Sequence, residues 1–169
     1  MCTRCGLHKT RRKAVPGEGP DKARAMLVGE APGRREDLRG RPFVGVSGKV
    51  LDEILVEAGL HREDIFITSV VKCRPPQNRI PKKIEQQTCI QAHLTRQMET
   101  LAPQVVILAG GVATKALLQL EGVLPHRGKW TSRGAFLFFP TYHPAAARRN
   151  PLWRRRLLQD MKRLRDFLS

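Results

Sequence analysis

The sequence predicts an α/β fold, a three-layer α/β/α sandwich with a central, mainly parallel four-stranded sheet. Two observations lead to this prediction. Short apolar runs typical of buried strands alternate along the chain with longer segments of helical spacing. The 169 residues also contain no internal repeat and no linker-like stretch, so we expect one domain spanning residues 1–169.

Each element has its own signal along the chain. Compact apolar or β-branched runs predict the strands, whereas apolar residues three and four positions apart predict the helices. The last helix has a proline near its start, where the ring is tolerated. The predicted strands are 24–29, 64–71, 103–111 and 134–144, and the predicted helices are 48–59, 82–102, 112–120 and 151–168.

This arrangement places four unusual segments at one edge of the sheet. Ligands of open α/β sheets bind beyond the carboxyl ends of the strands. The segments expected there carry an acid, an aromatic residue, a polar strand end, a histidine and several arginines. None contains G-x-x-x-x-G-K-[ST] or G-x-G-x-x-G, so a nucleotide phosphate loop is not predicted. The segments read "GEAPGRREDLRGRPFVG", "SVVKCRPPQNR", "AGGVATK" and "PTYHPAAARRN".

The charge of the chain indicates a polyanionic partner. The formal net charge is +16, and basic residues recur along the whole sequence, which favours nucleic acid. A membrane-surface role is less well supported, because the basic runs are not joined to an apolar helix face with aromatics; the final helix is the nearest candidate. No apolar run is long enough to span a bilayer, and "MCTRCGLHKTRRKAV" lacks the apolar centre of a signal peptide. We therefore expect a cytoplasmic protein that does not bind membranes.

The cysteines predict a metal centre. Cys2 and Cys5 form a C-x2-C pair, a spacing that presents two thiolates to one centre. Cys73 and Cys89 are the other two cysteines in the chain. Four thiolates complete either a tetrahedral zinc site or an iron–sulfur cluster, and the residues alone leave that choice open.

Four motifs stand in order along the chain: "MCTRC", "GEAPGRREDLRGRPFVGVSGKVLDEIL", "ITSVVKCRPPQNRIP" and "YHPAAARRNP". Together with Cys89 they resemble the family 4 uracil-DNA glycosylases, iron–sulfur enzymes of the uracil-DNA glycosylase superfamily. The resemblance covers nearly the whole chain, in the same order. It implies an N-terminal iron–sulfur segment in which Cys2, Cys5, Cys73 and Cys89 hold a [4Fe–4S] cluster. It also implies a monomer that binds DNA containing uracil.

The resemblance implies a pocket for a uracil base held outside the DNA stack. Phe43 is expected to stack on the base, and His143 is expected to hydrogen-bond to uracil O2. That oxygen becomes negative as the bond to the sugar breaks, so a donor there would stabilise the transition state. The implied pocket residues are Glu30, Ala31, Pro32, Gly33, Phe43, Ser69 and His143.

Carboxylates and basic residues complete the expected site. Glu30 is the first choice for stabilising the positive sugar or orienting water. Glu36 and Asp37 follow, with tethering of the loop as their alternative role. The residues expected to contact DNA are Arg148, Arg149, Lys49 and Arg79.

The sequence departs from the family at two places. Ser69 stands where family members usually have Asn, whose amide can contact both N3–H and O4 of uracil, and a hydroxyl cannot present the same pair of groups. After His143-Pro144 the family often has bulky apolar residues that wedge into the duplex. Here alanines occupy 145–147, followed by two arginines that could stack on bases or hold phosphates.

Three functions fit these observations. The leading one is a monofunctional glycosylase that hydrolyses the bond between uracil and deoxyribose; no lysine is obviously placed as a Schiff-base nucleophile, so no lyase activity is expected. The second is a non-catalytic iron–sulfur protein that binds damaged DNA. The third is a glycosylase whose base is changed, for example to hypoxanthine or xanthine. Base release from oligonucleotides discriminates among them.

Overall fold

The computed structural model describes residues 2–169 and has a five-stranded sheet at its centre. The strands are β1 (Ala25–Gly29), β2 (Ile65–Ser69), β3 (Val105–Ala109), β4 (Thr131–Arg133) and β5 (Phe136–Thr141). Their order is β2-β1-β3-β5-β4, and all neighbours are parallel except β4 and β5. The α/β class is confirmed, but the count of four strands was wrong. The three polar residues of β4 carry no apolar alternation that would predict a strand.

Helices cover both faces of this sheet. In the part of the chain that the structure describes, none is both long and apolar enough to cross a lipid bilayer. The α-helices are α1 (Arg34–Arg39), α2 (Val46–Ala58), α3 (Lys83–Cys89), α4 (Thr95–Leu101), α5 (Gly111–Leu118), α6 (Pro144–Arg149) and α7 (Pro151–Leu168).

Two features of the helices differ from the sequence prediction. The helix predicted over 82–102 is divided, because a π-helical segment, Ile90–Leu94, lies between α3 and α4. The short helices α1 and α6 lie in loops that follow strands and were not predicted. Each has six residues, fewer than the window over which helical periodicity can be recognised.

The core lies on both sides of the sheet, because successive strand residues point to opposite faces. On one face, strand residues pack with α2 and α7; on the other, they pack with α4 and α5. The first face includes Leu27, Ile67, Ile107, Phe139, Leu55 and Met161. The second includes Met26, Val28, Val106, Leu108, Met98 and Leu118.

The strand register brings the carboxyl ends of the parallel strands to one edge. Gly29 at the end of β1 pairs with Ser69 at the end of β2. Ala109 at the end of β3 pairs with Thr141 at the end of β5. The loops that follow these strands therefore open at the same edge, as expected for an open α/β sheet.

Candidate active site

A cavity of about 630 Å³ opens at the carboxyl edge of the sheet. Glu30, directly after β1, and His143, two residues after β5, both line it. The remaining lining comes mainly from α3 and from the start of α5. The structure thus brings together the predicted carboxylate and the predicted histidine, which are distant in the sequence.

Phe43 lies beside the histidine at this edge. The rings of Phe43 and His143 stack with centroids 5.6 Å apart and planes inclined by 29°. The Phe43 ring crosses Gly29 so closely that a Cβ on Gly29 would lie 2.7 Å from Phe43 Cζ. The same position would lie 3.4 Å from Ser69 Oγ. Phe43 and Ser69 therefore lie against the end of β1, and the absence of a side chain at Gly29 is required for the approach of Phe43.

The backbone of Phe43 is strained. Its φ is 48°, in the left-handed region that bulky residues rarely occupy. Helix α2 starts close behind it, since a Cβ on Gly48 would lie 1.8 Å from the Phe43 carbonyl oxygen. A glycine at the start of a helical pattern was a sequence signal for this close approach.

Two side chains hold the Phe43 loop in this conformation. Glu36 Oε1 accepts hydrogen bonds from the amides of Val44 (2.9 Å) and Gly45 (2.7 Å). Arg62 donates to the carbonyl oxygens of Pro42 (2.7 Å) and Phe43 (3.3 Å). These contacts are those expected of the tethering role, which the sequence predicted as the alternative to catalysis for Glu36. Sequence reasoning missed Arg62, because no pattern in the residues around it indicates contacts with Pro42 and Phe43.

Asp37 also tethers the loop. Its buried carboxylate accepts hydrogen bonds from the backbone amides of Arg12 (2.8 Å) and Lys13 (3.3 Å). Helix α1 is thereby joined to the N-terminal segment. Gly33 directly precedes this helix, and a Cβ there would lie 2.8 Å from Glu36 Oε2. Pro32, just before it, is buried, and Ala31 packs against the second core face.

The position of His143 determines its tautomer. It caps the N-terminus of α6, and its Nδ1 accepts a hydrogen bond from the amide of Ala145 at 3.1 Å. An accepting Nδ1 carries no proton, so the neutral ring has its proton on Nε2. Burial lowers the pKa of His143 to about 4, because it disfavours the charged ring. At neutral pH the residue is therefore an uncharged donor through Nε2–H.

Glu30 lies in a desolvated environment. It is half-buried at the wall of the cavity, and burial raises the pKa of its carboxyl above the usual value. A raised carboxyl pKa beside a neutral histidine is typical of a site that performs chemistry.

A buried lysine supports the end of β2 and also lines the cavity that contains the cysteines. Lys72 Nζ donates to the Ser69 carbonyl oxygen at 2.8 Å and to Thr68 Oγ1 at 2.5 Å. Burial lowers the pKa of Lys72 to about 7. The Lys72 side chain is buried together with the end of β2, to which it is hydrogen-bonded. Sequence reasoning missed this residue because "VKC" resembles an ordinary exposed lysine.

All four cysteines line a second cavity of about 660 Å³. Cys73 and Cys89 are buried, whereas Cys2 and Cys5 are half-buried. Burial raises the pKa of the Cys89 thiol to about 11, and it also raises the pKa of Cys73. Among residues 2–169, no three His, Cys, Asp or Glu side chains converge closely enough for a single metal ion.

Two donors reach the cysteine sulfurs. Arg11 Nη1 donates to Cys73 Sγ at 3.0 Å, and the Lys72 amide donates to Cys89 Sγ at 3.3 Å. Both hydrogen bonds favour the thiolate, against the effect of burial. The cavity therefore combines four sulfur donors with groups that stabilise negative charge on them.

Comparison with known proteins assigns the chain to a family. The family model for the uracil DNA glycosylase superfamily matches residues 16–164. A type-4 uracil-DNA glycosylase of Saccharolobus solfataricus is 47% identical, over 99% of this chain and 82% of its own length. The chain belongs to the type-4 uracil-DNA glycosylase family. Another type-4 member, from Thermotoga maritima, is 40% identical over 99% of this chain and 90% of its own length. A type-5 uracil-DNA glycosylase of Thermus thermophilus is 36% identical, but over 66% of this chain.

This type-4 family member presents its predicted DNA-contacting residues in two different ways. Arg148 and Arg149 are exposed at the end of α6, and Lys49 is exposed on α2. Arg79 instead donates to both carboxylate oxygens of Glu85, at 2.8 and 2.7 Å. A side chain engaged in this way is less available to phosphates than the other three.

Proposed function

We propose that this type-4 family member excises uracil from DNA by hydrolysing the N-glycosidic bond, leaving an abasic site. The observation that carries the proposal is a neutral His143, protonated on Nε2, that shares a cavity with Glu30 and stacks against Phe43. The names of the similar type-4 proteins, uracil-DNA glycosylases, agree with it.

His143 supplies the electrostatic part of the reaction. Negative charge spreads onto uracil O2 as the bond to the sugar breaks, and Nε2–H donates a hydrogen bond to that oxygen. This hydrogen bond strengthens as the charge develops, so it lowers the barrier more than it stabilises the bound substrate. Because Nδ1 is already occupied by the Ala145 amide, the ring does not need to reorient during the reaction.

Glu30 and Phe43 supply the rest of the site. The sugar becomes positively charged in the transition state, and an ionised Glu30 stabilises it and orients the attacking water. Phe43 stacks on the base and holds its plane. Its strained loop is kept in place by Glu36 and Arg62, so the ring is positioned before the base arrives.

We propose that the four cysteines hold a [4Fe–4S] cluster. Four thiols around one cavity larger than a single ion, with two hydrogen-bond donors on the sulfurs, form a suitable donor set. Such a cluster supplies electron-transfer chemistry when bound, whereas hydrolysis transfers no electrons. The cysteines thus join the N-terminal segment to the chain around Cys73 and to helix α3.

Iron and visible absorption test this assignment. Purified protein should be yellow-brown and contain about four irons per chain, and Cys89→Ala should lose the colour. Colourless protein with one zinc per chain would contradict the cluster.

We also propose that the protein binds DNA as a monomer, mainly through charge. The net charge of +16 and the exposed arginines after His143 support this. If about five phosphates are neutralised, log K should fall with log salt at a slope of roughly −4 to −5 on duplex DNA. Affinity that does not change with salt would contradict it.

A panel of oligonucleotides tests the activity itself. Each carries one uracil, hypoxanthine, xanthine, cytosine or thymine, and the released base is measured under single-turnover conditions. We expect release of uracil with an unbroken strand and no covalent adduct after borohydride, since no Schiff base forms. Release of only hypoxanthine or xanthine would favour the changed-specificity alternative, and binding without any release would favour the non-catalytic one. Glu30→Gln, which lacks the ionisable carboxyl group, is the matched control for the activity.

A further inference from the structure

The first turn of α7 presents an aromatic face that the proposed reaction does not use. Trp153 is 37% exposed, and Leu152 beside it is 48% exposed. The indole of Trp153 stacks on Tyr142 with centroids 5.4 Å apart and planes inclined by 11°. Since Tyr142 covers one face of the indole, the exposed area belongs to the other face and the edges.

The stack behind Trp153 is held by several contacts. Tyr142 is 4% exposed and immediately precedes His143. The guanidinium of Arg127 lies 5.7 Å from the Tyr142 ring centroid and is itself held by the buried carboxylate of Asp160. Asn150 Oδ1 accepts a hydrogen bond from the Trp153 amide at 3.3 Å. A ring held in this way loses little freedom when a ligand stacks on it.

The surroundings of Trp153 are strongly basic. Residues 143–159 contain five arginines and no aspartate or glutamate. Arg148, Arg149 and Arg155 are exposed, and none takes part in an ion pair within the described residues 2–169. Helix α6 connects His143 to this surface and is about 9 Å long, roughly the rise of three stacked nucleotides.

We propose that Trp153 is a stacking platform for an unpaired base of the DNA strand that enters the active site. In this proposal Leu152 flanks the base, and Arg148 and Arg149 hold the neighbouring phosphates. The identity of the polymer as DNA rests on the proposed function. An aromatic ring with one packed face and one open face suits any base, because every base has a π-face.

A membrane surface is the other partner that an exposed Trp-Leu pair with arginines could suit. The apolar face of α7 beyond Trp153 is already buried in the core through Leu157, Met161 and Leu164. The helix therefore lacks the continuous exposed apolar face that interfacial binding requires, and the observations favour DNA.

Tryptophan fluorescence tests the contact directly. The chain has two tryptophans, and Trp130 packs against Phe139 and Phe167. In Trp130→Phe, the emission reports Trp153 alone. We expect a uracil-free single-stranded oligonucleotide to quench it, whereas emission of the Trp153→Phe control should change little. Unquenched Trp153 overturns the proposal, as does a response to anionic vesicles and none to DNA.

Affinity provides the second measurement. Trp153→Ala should weaken binding of the same oligonucleotide by about 5- to 100-fold and leave the salt dependence unchanged. Arg149→Gln should instead reduce the slope of log K against log salt by about one. Trp153→Phe keeps a ring on Tyr142 and controls for folding, together with the melting temperature. Wild-type affinity in a folded Trp153→Ala protein overturns the proposal.

These measurements are independent of excision because the oligonucleotide contains no uracil. Quenching without uracil release in the oligonucleotide panel would refute the proposed function and retain the platform. Uracil release without quenching would retain the proposed function and refute the stacking platform.

Discussion

Phe43 and His143 stack with their ring centroids 5.6 Å apart, joining the loop after β1 to the end of β5. Each ring depends on a special backbone conformation to reach this position. Phe43 requires a left-handed backbone, and His143 requires the cap of α6. His143 shares its cavity with a desolvated carboxylate, Glu30, so the geometry of all three residues depends on the loops after β1 and β5.

His143→Ala should reduce uracil excision far more than it reduces DNA binding. Loss of one preorganised donor at a developing anion typically costs about 10²–10³ in rate. Single-turnover rates and binding of an uncleavable substrate analogue measure the two effects separately. Wild-type rates in the variant would mean that His143 only caps α6.

The pH–rate profile should contain no step at the ordinary histidine pKa. The pKa of His143 is lowered to about 4, so the ring stays neutral at pH values well above that. The pKa of Glu30 is raised by burial, so the rate should fall as the pH decreases through that raised value and the carboxylate is protonated. Glu30→Gln should remove this acid limb. A step near pH 6.5 that disappears in His143→Ala would contradict the assignment.

Glu36→Gln and Glu36→Ala should differ strongly in excision. The carboxylate accepts two backbone hydrogen bonds that hold the Phe43 loop, and the Gln side-chain oxygen can accept the same pair. We expect Glu36→Gln to stay within about tenfold of the wild-type rate, whereas Glu36→Ala should lose more, since two amides lose their partner at about 1–3 kcal/mol each. Equal, severe losses in both variants would instead support a catalytic role for the Glu36 charge.

Arg11→Ala should lower the reduction potential of a bound [4Fe–4S] cluster. The guanidinium donates to Cys73 Sγ at 3.0 Å, and hydrogen bonds to cluster sulfurs favour the more negative, reduced state. A potential titration followed by visible absorption measures the change, with Arg12→Ala as a matched control because the Arg12 contact found here is made by its backbone amide. An unchanged potential in Arg11→Ala would show that the contact does not persist when the cluster is bound.

Ser69→Asn should raise the single-turnover rate on uracil. Ser69 ends β2 close to the Phe43 ring, and an amide at this position could contact both uracil edge atoms. A regained hydrogen bond corresponds to about 1–3 kcal/mol. The wild-type protein should then release uracil more slowly than the Ser69→Asn variant, or accept a broader range of bases. Ser69→Ala is the control, and an unchanged rate and base profile in Ser69→Asn would place Ser69 outside the recognition contact.

The sequence by itself determined the alternation of strands and helices. It also determined the edge where their loops meet, since apolar periodicity is local and the position of ligands follows from the topology. The pairing of Glu30 with His143 at one cavity followed from that edge. The four cysteines likewise predicted a metal centre through their number and spacing. The short polar strand β4 and the π-helical segment within the predicted 82–102 helix had no local signal.

Only the tertiary structure decided how the site residues act. The tautomer of His143 depends on the Ala145 amide, and the tethering by Glu36 depends on a loop that closes on itself. Arg62, Lys72 and the open face of Trp153 became visible through contacts with residues distant in the chain. Such contacts result from the packing of separate elements, and a periodicity of two or 3.6 residues contains no information about them.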